Sequence, residues 1–236
     1  MLRMLKDLAR RMLPASLLKQ IDGRRFANKS PQEVFDQIYQ SHHWNEGGES
    51  ISGRGSELAE TAVIRKELPE LFRKYEIKTV LDIPCGDMNW MSEVLENSQV
   101  SYTGGDIVQD LVRRNQKQLS SDRVRFQHMN LIEDDLPKVD LVISRDCWIH
   151  FSYENIQASV RNLKRSGSTY LLASTYPATP ANRDIVTGNS RTIDLQKAPF
   201  NFPAPLELIH ENVPNPPNAY NASKSMALWR IADLPE

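Results

Sequence analysis

The sequence predicts an α/β fold built on an open, mostly parallel sheet with helices on both faces. Three observations point there. Thr79 to Trp90 reads Thr-Val-Leu-Asp-Ile-Pro-Cys-Gly-Asp-Met-Asn-Trp, an apolar run broken by Pro-Cys-Gly and followed at once by a segment that can be helical. Apolar runs and helical patterns then alternate from residue 78 to 175, as parallel strands joined by right-handed crossovers require. The second run ends in an acid, Asp106, 24 residues after Asp82, which matches a nucleotide-type site at the carboxyl edge of such a sheet.

Each element has its own signal. Val34, Phe35, Ile38 and Tyr39 share one face of a helix over Pro31–Ser41. His42–Ser56 is rich in Gly and Ser and reads as a loop, with Ser56 placed to cap a helix running to about Lys74. Strands are expected at 78–83, 102–107, 124–129, 139–144 and 169–175, with helices at 88–97, 108–119 and 153–164 between them. Beyond Tyr176 the style changes. Residues 177–223 hold more than half of the fourteen prolines and read as a long ordered loop covering a substrate. Pro205–His210 and Ser225–Ile231 supply two last strands as an antiparallel edge pair, seven in all.

The chain of 236 residues is expected to form one domain over 31–236, preceded by a basic segment over 1–30. That segment holds eight Lys and Arg against Asp7 and Asp22, so the remainder is acidic although the whole chain carries only −1. Met1, Leu2, Leu5, Leu8, Met12 and Leu13 fall on one helical face, so residues 1–21 could dock on a membrane surface or a partner; a loosely packed helix is the plainer reading. Two cysteines, Cys85 and Cys147, are too few for a disulfide framework and fit reduced thiols in a cytoplasmic protein. No run approaches the length of a membrane span.

The Pro84–Asn89 turn has one glycine where a dinucleotide site needs three to bring its backbone up to a pyrophosphate. Asp82 and Asp87 would repel a polyanion and suit a cation. A nucleoside-like cation such as S-adenosylmethionine fits both facts. An NAD-dependent oxidoreductase is disfavoured by the missing glycines and by the lack of a Tyr-x-x-x-Lys pair after the fourth strand; a non-catalytic nucleoside-binding partner protein is the other alternative. Asn215-Pro216-Pro217-Asn218 looks like the loop of DNA adenine methyltransferases but lies far beyond the fifth strand and ends in Asn. With no basic surface overall, nucleic acid is not an expected partner.

These pieces together resemble the class I S-adenosylmethionine-dependent methyltransferases over roughly residues 55–175, which implies a Rossmann-like seven-stranded sheet. The Trp44…Ser50-Ile51-Ser52-Gly53 loop, Leu81–Asp87, Arg145-Asp146 with His150, and Asn182…Gly188…Arg191…Pro199-Phe200 further resemble bacterial methyltransferases of polysaccharide-synthesis clusters. The departure is in the turn, where Pro84 and Met88 replace two of the family's usual glycines.

The site follows residue by residue. Asp106 is expected to accept both ribose hydroxyls, unless it serves only as a helix cap. Asp82, Pro84, Cys85, Gly86 and Asp87 would hold the methionine end, with Asp87 as a plain helix cap for its alternative. Asn130 would read the adenine edge, or merely form a turn, with Ile107 and Leu131 as apolar walls. Arg145, Asp146 and His150 cluster beyond the fourth strand; Arg145 is assigned to the cofactor. His150 is the candidate general base, oriented or charged by Asp146 four residues away; the alternative is a helix-capping Asp and a structural His. Trp44, Tyr176, Asn182 and Arg191 are assigned to a small-molecule or glycan acceptor, Arg191 suiting an anionic one. No residue cluster calls for a metal.

Overall fold

The computed structural model describes residues 25–44 and 47–235; the docking helix expected over 1–21 lies outside the described residues. Seven strands form one sheet: β1 (Thr79–Asp82), β2 (Ser101–Asp106), β3 (Val124–His128), β4 (Leu141–Ser144), β5 (Tyr170–Thr175), β6 (Glu207–His210) and β7 (Ser225–Arg230). Their order is β3-β2-β1-β4-β5-β7-β6. The first five pair in parallel, and β7 pairs antiparallel with both β5 and β6. The chain winds outward from β1 to β3 and then returns to build the other half from β4. The strand order therefore reverses between β1 and β4, where open α/β sheets leave a ligand crevice at the carboxyl ends.

Successive residues of a strand face opposite sides of the sheet, and both sides here are apolar. Leu81, Val142, Leu171 and Trp229 pack on one side with Ile156, Val160 and Leu163 of helix α5 (Tyr153–Ser166). Val80, Leu141, Ile143 and Leu228 pack on the other with α2 (Ala62–Lys74), α3 (Met91–Glu96) and α4 (Gln109–Leu119). The sheet is thus buried between helical layers. Helix α1 (Pro31–Gln40) opens with a capping box between Ser30 and Glu33 and buries Val34 and Ile38 in a small separate cluster with Phe26.

Two helix starts differ from expectation. Ser56 does not cap α2; it closes a 3₁₀ turn over Arg54–Ser56, and extended backbone at Glu57 stops propagation until Ala62. α3 begins at Met91 rather than 88, because Met88 stands at φ 63, outside helical space. Within 177–223 the regular elements are β6 and the short α6 (Ala219–Ala222). Among the described residues no helix is long and apolar enough to cross a membrane.

Candidate active site

A cavity of about 730 Å³ opens at the carboxyl ends of β1, β2 and β4. Its floor is the turn after β1. The Ile83 amide still bonds to the Ile143 carbonyl at 2.9 Å and the Cys85 amide to the Gly105 carbonyl at 2.8 Å, so the turn leaves the sheet without losing its ladder. Gly86 takes φ 58, and an added Cβ there would lie 2.8 Å from Ser52 Oγ, so glycine serves both conformation and closeness. The Asn115 side chain, from α4, donates to the Gly86 carbonyl at 2.8 Å and pins the turn from below. Cys85 and Cys147 are free, buried thiols whose burial pushes them above the ordinary range.

Two buried carboxylates line the cavity. Asp106 accepts the amide of Val108 at 2.9 Å and that of Gly86 at 3.1 Å, and so ties β2 to the turn. Burial raises its pKa to about 6, partly offset by those amides. Asp82 accepts the Tyr102 hydroxyl at 2.8 Å; burial raises it to about 7, against that hydrogen bond, with the Asp106 charge adding to the rise. Both carboxylates keep acceptor capacity beyond these bonds. Asn130, Ile107 and Leu131 line the same wall. The Asn130 side chain forms a turn, with its oxygen accepting from Ile132 and its amide donating to Glu133.

Beyond β4 lies a buried ion cluster. Arg145 donates to Glu211 at 2.7 Å and to the Gly55 carbonyl at 2.7 Å, and its guanidinium lies over the Trp90 ring at 5.3 Å. Lys224 bonds Asp146 at 2.5 Å and Glu211 at 3.1 Å. Burial raises the Asp146 carboxyl, but the Lys224 and Arg145 charges outweigh it and hold it near 2. Arg145 Nη2 is buried and has no hydrogen-bond partner among the described residues. A buried polar group left so is costly unless a ligand completes it.

His150 sits in the 3₁₀ turn Trp148–His150 and lines the cavity. Its Nδ1 is 3.0 Å from the Asn189 carbonyl oxygen. A carbonyl only accepts, so Nδ1 carries the proton and Nε2 is the acceptor nitrogen. Burial lowers the pKa to about 4, against the Asn189 bond and the Asp146 charge, so the ring is neutral at physiological pH.

The structure corrects several expectations. Asp146 does not orient His150; it is turned to Lys224, Arg145 and Ser174 from a left-handed backbone at φ 53, and Asn189 orients the ring. Asp87 neither lines the cavity nor caps α3. Its carboxylate accepts the Ser50 hydroxyl at 2.9 Å and the Ile51 amide at 2.7 Å, fastening a distant loop onto the turn. Asn182 is spent on the backbone of 194–198, to which its amide both donates and accepts, and does not reach the cavity. Arg191 is buried away from the cavity, donating to the Trp148 carbonyl with its guanidinium over the Tyr153 ring, so it offers no subsite for an anion there. Trp44, Tyr176, Pro84, Cys85, Gly86, Arg145 and Asp146 do line the cavity. Sequence reasoning missed Glu60, which pairs with nearby Arg54, and Glu211 and Lys224, whose partners Arg145 and Asp146 are remote in sequence. It also missed the wall made by Val213–Pro217, whose prolines were set aside with the Asn-Pro-Pro-Asn motif.

The order of strands, the acid-bearing edge and the covered cavity form the Rossmann-like methyltransferase fold. Residues 80–167 match the family model described as a methyltransferase domain. That match runs from β1 through α5. Solved methyltransferases share the fold at low identity. Human N-acetylserotonin methyltransferase, in a complex with S-adenosylmethionine, superposes with a TM-score of 0.57 at 14% identity over 89% of this chain and 64% of that one. The chain therefore spans under two thirds of that protein's length. Burkholderia thailandensis 1,6-didemethyltoxoflavin-N1-methyltransferase gives 0.55 at 15% identity, covering 84% of this chain and 86% of that one. Magnesium protoporphyrin IX methyltransferase from Synechocystis, with bound S-adenosylmethionine, gives 0.54 at 13% identity, covering 86% and 98%. No curated protein sequence matches the chain.

Proposed function

We propose that this chain transfers a methyl group from S-adenosylmethionine to a hydroxyl of a small molecule or glycan, with His150 as the general base. The observation that carries the reading is one cavity lined both by Asp82 and Asp106 and by a neutral imidazole of fixed tautomer. The donor set fits the cofactor. Asp106 retains lone pairs for ribose hydroxyls, Asp82 offers a buried carboxylate to an ammonium, and Arg145 Nη2, without a hydrogen-bond partner among the described residues, suits a carboxylate. Ile107 and Leu131 offer apolar faces to a base, and the single-glycine turn lacks a phosphate cradle. The solved relatives named above carry S-adenosylmethionine or act on small molecules, which supports the same reading.

When bound, S-adenosylmethionine supplies an electrophilic methyl on a sulfonium, a good leaving group whose sulfur keeps the electron pair of the C–S bond. The chain's own part is positional. The turn and Asp106 hold the donor, residues 43–44, 47–60 and 213–221 exclude water, and His150 Nε2 takes the acceptor's hydroxyl proton as the new C–O bond forms. On this reading residues 31–236 form one catalytic domain acting in the cytoplasm, and the basic residues 1–21 dock it on a membrane surface or a partner. A glycan acceptor is supported by the resemblance to polysaccharide-cluster enzymes and by Trp44 and Tyr176 in the cavity wall.

Labelled-methyl transfer to a panel of glycosides and phenols tests this. His150→Ala should lower turnover by about 100-fold or more while S-adenosylmethionine still binds. Near-normal turnover in that variant would remove His150 as the base.

A further inference from the structure

We infer that Trp44 is a positioning residue for His150: it clamps the imidazole between the N-terminal cap, residues 26–44 and 47–56, and the strip 188–191 of the proline-rich segment. The inference rests on the reading of His150 as the base, and it assigns work to a part of the chain outside the matched methyltransferase domain.

The geometry closes on the imidazole from two sides. On one side the Trp44 ring lies 4.6 Å from the His150 ring, centroid to centroid, at 32°. Trp44 is held in turn by Phe35 of α1 at 6.0 Å, and Phe35 reaches Phe151, the residue after His150, at 5.9 Å. Four rings thus join α1, the cap loop and the 3₁₀ turn. On the other side the strip 188–191 fixes the His150 turn by its backbone. The Gly188 amide donates to the His150 carbonyl at 2.8 Å, the Arg191 amide to the Ile149 carbonyl at 3.1 Å, and the Asn189 carbonyl accepts from Nδ1.

Cap and strip are also packed against each other without slack. A Cβ on Gly188 would lie 2.4 Å from Val34 and 2.9 Å from Phe26; within the cap itself, one on Gly53 would lie 3.2 Å from Trp44 Cβ. With Nδ1 bonded and one ring face covered, the imidazole cannot turn without breaking a bond or a stack. A stacked ring pair contributes about 0.5–1.5 kcal/mol beyond area. Its larger effect is directional, since a misplacement on the order of 1 Å can cost 10²-fold in rate. The charged and titratable groups facing His150 are Asp146, Arg191 and His43, and Trp44 contributes burial rather than charge.

The test compares Trp44→Phe, Trp44→Leu and Trp44→Ala, each checked for folding by circular dichroism. NMR titration of the His150 ring in the acceptor-free protein is the first readout, and it is independent of turnover. Trp44→Phe should keep the Nδ1–H tautomer and the acid-range titration, whereas Trp44→Ala should move the midpoint upward toward the free value of about 6.5. In methyl transfer, Trp44→Phe should stay within about 3-fold of wild type, while Trp44→Leu and Trp44→Ala lose about 10-fold or more in kcat with an unchanged KM for S-adenosylmethionine. The Phe and Leu variants decide the matter if Trp44→Ala does not fold. An unchanged His150 titration and kcat in folded Trp44→Leu and Trp44→Ala would overturn the clamp, as would a Trp44→Phe variant as impaired as Trp44→Leu. Full activity of His150→Ala, together with the expected His150 NMR shift in the Trp44 variants, would instead overturn the base reading and leave the clamp standing as a structural contact.

Discussion

Asp82 and Asp106 are carboxylates that burial has pushed to about 7 and about 6, in reach of a ligand expected to be cationic. The sign of the effect is definite. Their folded pKa values lie above the unfolded value, so the ligand-free chain binds more protons than its unfolded form between pH 4 and 7. The stability they contribute is full below pH 4 and is lost as pH rises through 6 and 7. An ammonium beside Asp82 favours its ionised form, so binding S-adenosylmethionine at pH 6 should release a proton. Affinity should then rise with pH, by up to about tenfold per unit, and level off above 7. Calorimetry at pH 6 in two buffers of different ionisation enthalpy measures the released proton directly; no buffer dependence would remove Asp82 from the ammonium site. Asp106→Ala removes the acceptor for the ribose and should weaken S-adenosylmethionine by about 10- to 100-fold, the worth of one or two charge-assisted hydrogen bonds.

The cap loop and the turn after β1 are one unit, because Asp87 joins them. Its carboxylate takes the Ser50 hydroxyl and the Ile51 amide, and the Asp87 amide donates to Ser52 Oγ at 2.9 Å. Asp87→Ala leaves those donors unpaired at a cost of about 1–3 kcal/mol. The expected outcome is faster proteolysis within 47–56, a lower melting temperature and weaker cofactor binding. An unaltered cleavage pattern would show that the loop is held by other means. At this scale much was legible. Val80, Leu81 and Ile83 announce a buried strand, and Pro84 with Gly86 announce its end, because apolar runs and chain breakers act locally. Helix starts were less legible, since Met88 adopts a left-handed backbone and Ser56 is drawn into a tight turn, choices set by contacts made after folding. Asp87 and Asn182 were misread for one reason. A short polar side chain beside a site can serve the ligand or the neighbouring backbone, and the sequence does not say which.

The whole molecule is a doubly covered sheet whose active edge is finished by segments far apart in sequence. Trp44 and Arg54 come from before the sheet, Pro214 and Lys224 from after β5, and Arg54 bonds the Pro214 carbonyl at 3.1 Å across 160 residues. No local pattern reports such pairings, so the cluster of Arg145, Asp146, Glu211 and Lys224 was half seen: the members just after β4 were named and its distal members were not. That cluster also couples site to stability. Lys224→Met leaves the buried Asp146 and Glu211 short of a counter-charge and should cost on the order of 3–5 kcal/mol, read by denaturant unfolding; a cost below about 1 kcal/mol would show that water enters the cluster freely. Above these details stands the claim that this edge holds a nucleoside sulfonium and no dinucleotide. Calorimetry with S-adenosylmethionine, its demethylated product and NAD, on wild type and Asp106→Ala, tests that claim most directly. One site for S-adenosylmethionine and its product, weakened by Asp106→Ala, with no heat from NAD, is the predicted result; saturable NAD binding without S-adenosylmethionine binding would contradict it.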